Sequence, residues 1–394
     1  MRKFLDPRWA LILGFLGIIA GVPAIQALRE ALFEEGVRVI DAFPRSLAAS
    51  QLRTYEHTLE NANWVANSTR PWPQYLQFRW LRDGGSKVII GTDGWYFYKP
   101  GFIDMLARRE TAAMGSLTND PVAAITDFRD QLARHGIRLV VMPVPNKESV
   151  YPDRVTPRAG NLRGALAPRT QSLLRRLREA DVACIDLFEI FSQARHPSDA
   201  ESPSRLYLKQ DTHWSPTGVK LAAPAAAHEL TNRGWIQRGQ HPYDERPQSV
   251  QRLGDILRML QIPAVERQIP PETVDCFQVI DRKTGEPFRE LPEAEILILG
   301  DSFTRIYQQD EPGSAGFAAH LARELGQPVQ LLVNDGGGST LVRQELAARP
   351  AYLARKKVLL WEFVERDLGL GREGWKLVAL PPLAEDQRVS APPR

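Results

Sequence analysis

From about residue 121 to residue 364 the chain alternates between helical stretches and short, almost purely apolar runs, and this alternation constrains its fold most. Residues 122–135 read as a helix and lead into the run Ile137-Arg138-Leu139-Val140-Val141-Met142. Residues 165–180 are again helical and precede a strand over 182–187. After a loop, residues 216–233 read as a helix. The strands 295–299, 329–333 and 357–364 follow, with helices at 316–325 and from Thr340 between them. Strands that lack polar alternation and sit between helices are buried on both faces, the pattern of a parallel sheet flanked by helices. The expectation is an α/β fold in one large domain over residues 85–375, although 394 residues would accommodate two or three domains. Residues 241–293 are Pro-rich and read as an irregular excursion from the sheet. The tail over 376–394, with Pro381-Pro382 and Pro392-Pro393, is expected to be loosely held.

Ahead of this region, twenty residues from Trp9 to Leu28 carry no charge, which is about what a helix needs to cross the hydrocarbon core of a bilayer. Arg2, Lys3 and Arg8 precede them, so the positive-inside rule keeps the N-terminus in the cytoplasm and sends the rest of the chain out. The expected boundaries are an anchor or signal over 1–30 and a helical connector over 31–84. Val22-Pro23-Ala24 resembles a signal cleavage site, but proline beside the cut disfavours it, and the retained transmembrane helix is the favoured reading. A buried helix of a soluble protein is the remaining alternative. Pro71 and Pro73 are expected to break the connector's helical pattern. Lys87-Val88-Ile89-Ile90-Gly91-Thr92-Asp93-Gly94-Trp95-Tyr96-Phe97-Tyr98 then reads as a hairpin turning on Asp-Gly.

Composition narrows the classes. With 43% hydrophobic and 25% charged residues, the chain has enough apolar surface to fold. Its 50 Lys plus Arg against 47 Asp plus Glu leave a formal charge of +3, which speaks against a nucleic-acid partner. Two cysteines exclude a disulfide scaffold, and Cys184 in its apolar run is expected to be a buried free thiol.

The chemistry-bearing residues are few. Ile296-Leu297-Ile298-Leu299-Gly300-Asp301-Ser302 is a buried strand ending in Gly-Asp-Ser, at the strand end where open α/β sheets bind ligands. Ser302 there can act as a nucleophile, or Asp-Ser can simply cap the following helix. Of seven histidines, His213 stands out in Gln210-Asp211-Thr212-His213-Trp214-Ser215-Pro216. An Asp two positions earlier projects to the same side of an extended segment and can orient the imidazole. A metal pair or a turn capping the next helix would use the same residues. The sequence shows no further cluster to complete a metal site, so no metal and no cofactor are expected. Asn334-Asp335-Gly336-Gly337-Gly338-Ser339-Thr340 lacks the lysine of a nucleotide loop and reads as a strand-to-helix turn, with Asn334 a candidate oxyanion donor.

These segments in order resemble the AlgJ/AlgX family of bacterial polysaccharide O-acetyltransferases, which carry an SGNH-hydrolase-like domain. The matching pieces are Gly91-Thr92-Asp93-Gly94-Trp95-Tyr96-Phe97-Tyr98, Pro145-Asn146-Lys147 running to Tyr151-Pro152-Asp153, Asp211-Thr212-His213-Trp214, Leu253-Gly254-Asp255-Ile256 and Gly300-Asp301-Ser302-Phe303, over roughly residues 85–366. The resemblance implies Ser302 as nucleophile, His213 as base and Asp211 as its partner. It makes Lys147, Asn334 and Arg366 candidates for substrate or oxyanion contacts. The chain ends soon after its last strand, which is closer to the membrane-anchored AlgJ form than to AlgX with its extra carbohydrate-binding module. The implied activity is periplasmic acetylation of an exported polysaccharide, alginate or another exopolysaccharide, through an acetyl-Ser302 intermediate. A membrane-bound O-acyltransferase is the implied acetyl donor. An acetylesterase with the same triad and a non-catalytic glycan-binding subunit of a secretion complex are the alternatives.

Overall fold

The computed structural model describes residues 7–34, 36–43, 49–107, 119–160, 162, 166–196, 202–371 and 373–382. Its contacts gather into two compact units, Met1–Arg82 with Gln261–Val265, and Asp83–Leu260 with Glu266–Arg394.

The first unit is helical. A helix over Pro7–Phe33 contains a 23-residue segment, Leu11–Phe33, apolar except for Gln26, Arg29 and Glu30 towards its end and long enough to cross a membrane or to serve as a signal. Shorter helices follow at Arg38–Asp41, Ala49–Ala62 and Trp64–Thr69. Pro71 interrupts the pattern as expected, since the preceding helix ends at Thr69, whereas Pro73 does not. Pro71 also starts another helix, Pro71–Leu76, because its missing N–H is no loss in a first turn. That helix runs into a π-helical turn over Gln77–Leu81.

The second unit opens with the expected hairpin. β1 (Val88–Ile90) and β2 (Tyr96–Tyr98) pair antiparallel, with Asp93 and Gly94 both at positive φ in the turn. Its centre is a five-stranded parallel sheet built from β3 (Arg138–Val144), β4 (Ala183–Cys184), β7 (Ile296–Gly300), β8 (Gln330–Val333) and β9 (Val358–Val364), in the order β4-β3-β9-β7-β8. The period of two in a strand divides each run between two cores. Val140, Met142 and Val144 of β3, with Leu360 and Val364 of β9, pack beneath the helices Pro216–Asn232 and Phe317–Leu325. Leu139 and Val141, with Leu359, Trp361 and Phe363, pack beneath Pro121–Arg134, Pro168–Glu179 and Leu341–Ala348. Double coverage is why these strands read as continuous apolar runs.

Three expectations are corrected. The strand over 182–187 is only two residues long, because the Asp186 carboxylate caps Glu189 N–H and turns the chain into a helix over Leu187–Ala194. Residues 241–293 are not irregular. They form two ten-residue antiparallel strands, β5 (Tyr243–Arg252) and β6 (Glu272–Asp281), paired from Tyr243↔Asp281 to Arg252↔Glu272. β5 is polar along its length and contains Pro247. It pairs with β6 alone, so it is an edge strand that tolerates a missing N–H. The start of the tail is held. Trp375 is buried, Gln131 donates to Val378 O at 2.9 Å, and Leu380 N–H donates to Gln131 Oε1 at 2.6 Å. Pro392-Pro393 lies outside the described residues, as does residue 165 at the start of an expected helix, observed over Pro168–Glu179. Both cysteines are free thiols, Cys276 buried and Cys184 half-buried.

Candidate active site

Ser302 lies two residues beyond Gly300, the last residue of β7, at the edge of the sheet where every strand ends. Gly300 has no room for a side chain, since a Cβ would collide with Thr304 and approach the Glu362 carboxyl. Asp301 caps the turn that follows, accepting the Phe303 N–H at 2.8 Å. The cap and a free serine hydroxyl are therefore compatible: Asp301 holds the backbone, and the Oγ of half-buried Ser302 is not used by the cap.

His213 reaches that hydroxyl from a separate loop. Its Nε2 lies 2.8 Å from Ser302 Oγ, and its Nδ1 lies 2.6 Å from Asp211 Oδ1. With its proton on Nδ1 the ring donates to Asp211, and Nε2 is left to accept the serine O–H. The Asp211–His213 segment is a bend, not the extended stretch expected. Asp211 Oδ1 also accepts the His213 backbone N–H at 3.1 Å, a side-chain turn that an aspartate makes with the residue two on. Phe303 packs against the imidazole with ring centres 4.7 Å apart, and Trp214 packs edge-on against Phe303.

Two further residues complete the surroundings of Asp211. Arg252, the last residue of β5, donates from Nε to Asp211 Oδ2 at 3.0 Å. Asp255 N–H reaches the same oxygen at 3.3 Å, while its carboxylate accepts the Thr212 N–H at 2.7 Å and the Thr212 hydroxyl at 2.6 Å. Gly254 permits this approach, because a Cβ there would collide with the Gln210 carbonyl. Burial by itself would raise the Asp211 pKa, but the His213 imidazole and the Arg252 guanidinium outweigh it and hold the group well below the usual carboxylate range. Asp255 is raised, by burial and by the Asp211 charge.

Asp255 also supplies the third potential ligand that the sequence did not offer, since Asp211, His213 and Asp255 place ligand atoms within 4.8 Å of one another. Their hydrogen bonds fit a metal poorly. His213 faces Asp211 and Ser302 with its two nitrogens, both Asp255 oxygens accept from Thr212, and a guanidinium sits on Asp211.

The other candidates are placed differently. Lys147 is buried and donates to three backbone carbonyls, Tyr96 at 2.5 Å, Lys209 at 2.8 Å and Asp211 at 3.0 Å. Its ammonium, lowered by burial to about 8, uses all three donors to hold the Asp211 loop from beneath. Asn334 directs its side-chain amide to Glu345 at 3.0 Å, and its backbone N–H ties β8 to Gly300. Arg366 places its guanidinium 5.6 Å from the ring centre of Phe303, the residue after Ser302, and 5.7 Å from that of Tyr98.

Behind Ser302 lies a set of buried carboxyls. Glu362 accepts the Asp301 N–H at 3.0 Å and the Thr304 hydroxyl at 2.9 Å, and Asp301 Oδ2 accepts the Val364 N–H at 3.1 Å. Burial and mutual repulsion raise Glu362 well above its ordinary range and Asp367 to about 7. Arg252, Glu362 and Asp367 were not singled out from sequence, and Asp255 was quoted only within its motif. Glu362 did leave a signal: it is a charge inside the otherwise apolar run of β9, and an acid in such a position needs donors or a proton.

The sequence profile of the SGNH hydrolase-like domain of the acetyltransferase AlgX matches residues 88–365. A relative named "Probable alginate O-acetylase AlgJ" from Pseudomonas putida is 25% identical over 300 residues, covering 74% of this chain and 73% of its own. The protein of the same name from Pseudomonas aeruginosa is 25% identical over 313 residues, covering 76% and 74%. The solved O-acetyltransferase domain of Pseudomonas putida AlgJ superposes with a TM-score of 0.56 at 24% identity, covering 72% of this chain and 92% of that domain. Pseudomonas aeruginosa AlgX superposes with a TM-score of 0.52 at 20% identity, covering 70% of this chain and 62% of that one. The buried parallel sheet, the Gly-Asp-Ser turn at its edge and a profile match across most of the chain lead to one assignment: the chain belongs to the AlgJ/AlgX family of SGNH-hydrolase-like acetyltransferases.

Proposed function

We propose that this protein transfers acetyl groups to hydroxyls of an exported, alginate-like polysaccharide by way of an acetyl-Ser302 intermediate. The observation that carries this reading is the continuous chain of contacts Asp211–His213–Ser302, at 2.6 and 2.8 Å. The acceptor class comes from the relatives named as alginate O-acetylases.

In the first half-reaction Ser302 Oγ attacks the acetyl carbonyl of a donor ester as its proton passes to His213 Nε2. The tetrahedral oxyanion collapses, the donor's oxygen leaves, and His213 returns the proton to it. In the second half-reaction a sugar hydroxyl gives its proton to His213 and attacks the acetyl-serine. Collapse of the second intermediate frees the acetylated sugar and restores the Ser302 O–H. Asp211 holds the Nδ1–H tautomer and stabilises the imidazolium formed in each half. The Ser302 backbone N–H, at the head of the turn capped by Asp301, is suited to receive the oxyanion. Arg366 offers a cation beside Phe303, the residue after the nucleophile, for a carboxylate of the acceptor. The largely apolar segment Leu11–Phe33 would anchor the catalytic unit on the periplasmic side of the inner membrane, where a membrane-bound O-acyltransferase supplies the acetyl group.

The deciding experiment exposes the protein to an activated acetyl ester and locates the adduct by mass spectrometry. An acetyl group on Ser302, discharged faster when oligosaccharide is added, is the expected result. Acetylation elsewhere overturns the mechanism, and discharge to free acetate unaffected by any acceptor makes the protein an esterase.

A further inference from the structure

Residues 61–82 contain three tryptophans (Trp64, Trp72, Trp80), three arginines (Arg70, Arg79, Arg82) and no Asp or Glu. Within them the helix Pro71–Leu76 passes into the π-helical turn Gln77–Leu81. Trp72, Leu76 and Trp80 recur every fourth residue along this rod and so line one face of it. That face is unpartnered: Trp72 is 71% exposed, Trp80 74% and Leu76 42%, with Leu81 beside them at 73%. Water-facing surfaces rarely carry so many large apolar side chains together unless something covers them.

The composition names the cover. Indoles prefer the headgroup layer of a bilayer, where an apolar ring and a polar N–H are both accommodated. Arg70, Arg79 and Arg82, close to this face in sequence, attract lipid phosphates, and Arg70 also lies 3.7 Å from the Glu60 carboxylate. The same unit also holds the largely apolar stretch Leu11–Phe33. The two are joined near the end of that stretch. Gln26 donates to Ala62 O at 3.1 Å and accepts the Trp64 N–H at 2.7 Å, and the Arg29 guanidinium lies 5.5 Å from the Trp64 ring centre. Gln26 and Arg29 are polar groups that belong at the membrane surface, so the segment starting at Trp64 begins there.

We propose that the Trp72–Leu76–Trp80 face lies in the headgroup layer of an anionic bilayer, as a second membrane contact beside the N-terminal helix. Its proximity to the bilayer rests on the retained-anchor reading given under Proposed function. Such a contact keeps residues 64–81 against the surface from which donor acetyl groups emerge.

The test uses the full chain in vesicles of phosphatidylethanolamine and phosphatidylglycerol, in a Cys184→Ser background because Cys276 is buried. A nitroxide is attached at Leu76→Cys and, in a separate protein, at Leu13→Cys. Collision rates are read with oxygen, which concentrates in lipid, and with a water-soluble nickel chelate. The expected result is oxygen-dominated collision at both positions. Adding Trp72→Ala and Trp80→Ala reverses the order at position 76 and leaves position 13 unchanged. Nickel-dominated collision at position 76 overturns the surface contact whatever position 13 shows. Shielding from both reagents at position 76 overturns it in favour of cover by protein. Nickel-dominated collision at position 13 with oxygen-dominated collision at 76 refutes the anchor and leaves the surface contact standing.

Discussion

Arg252 and His213 share one carboxylate: the guanidinium binds Asp211 Oδ2 at 3.0 Å, and the imidazole binds Oδ1 at 2.6 Å. The arginine fixes the plane of the carboxylate that holds the imidazole. Arg252→Met is expected to lower kcat about tenfold through loss of orientation, equivalent to about 1.4 kcal/mol, with KM for an activated acetyl ester unchanged. An unchanged kcat would show that Arg252 only ties down β5.

Asp211→Asn keeps the shape of the loop but favours the wrong imidazole tautomer. Turnover of the acetyl ester is expected to fall by about four orders of magnitude, comparable with loss of a triad acid elsewhere. Ser302→Ala is expected to abolish the acetyl adduct while leaving the melting temperature within about 2 °C, since the Ser302 side chain makes one hydrogen bond, to His213, and is itself half-buried. Mass spectrometry and differential scanning fluorimetry on the same samples check both.

Lys147 behaves as a structural residue on this geometry. Lys147→Met leaves the carbonyls of Tyr96, Lys209 and Asp211 without their donor. The expected cost is about 3 kcal/mol in urea unfolding. A stable variant with a raised KM would instead return Lys147 to the substrate site.

Buried carboxyls set the pH response of stability. Burial raises Glu365 to about 8, Glu148 to about 7 and Asp367 to about 7. In the unfolded chain these groups ionise near their ordinary values, so between about pH 4.5 and 8 the folded state binds more protons than the unfolded one. Stability is therefore greatest at the acidic end of that window and falls as pH rises through it. The melting temperature is expected to be several degrees lower at pH 8 than at pH 5. Glu365→Gln is expected to flatten part of that slope while keeping an acceptor for Ser149 and the Asn146 N–H, which bond the carboxyl at 2.7 and 2.8 Å. An unchanged slope would mean that Glu365 is ionised in the folded state.

Local signals made much of this readable. The apolar runs that became β3, β7, β8 and β9 stood out because each is buried on both faces. The Asp-Gly hairpin followed from the positive φ its turn requires. β5 escaped notice because a two-stranded edge hairpin needs no apolar alternation on its outer strand, and its Pro247 mimicked a loop. With β5 went Arg252, whose contact with Asp211 spans 41 residues. Lys147 carried an ambiguous signal, since a lysine in a short loop motif can meet substrate or carbonyl groups equally well.

By itself the sequence determined that a parallel sheet would form, that Ser302 would stand at a strand end, and that Asp211 would lie within two residues of His213. These are properties of short segments, set by burial period and turn geometry. Only the tertiary structure decided that His213 meets Ser302 across 89 residues, that Lys147 is spent on backbone carbonyls, and that Arg252 arrives on Asp211 from the far hairpin. Those pairings depend on which strand ends the sheet order brings together, and the energy of a contact between distant segments leaves no periodic trace in either one.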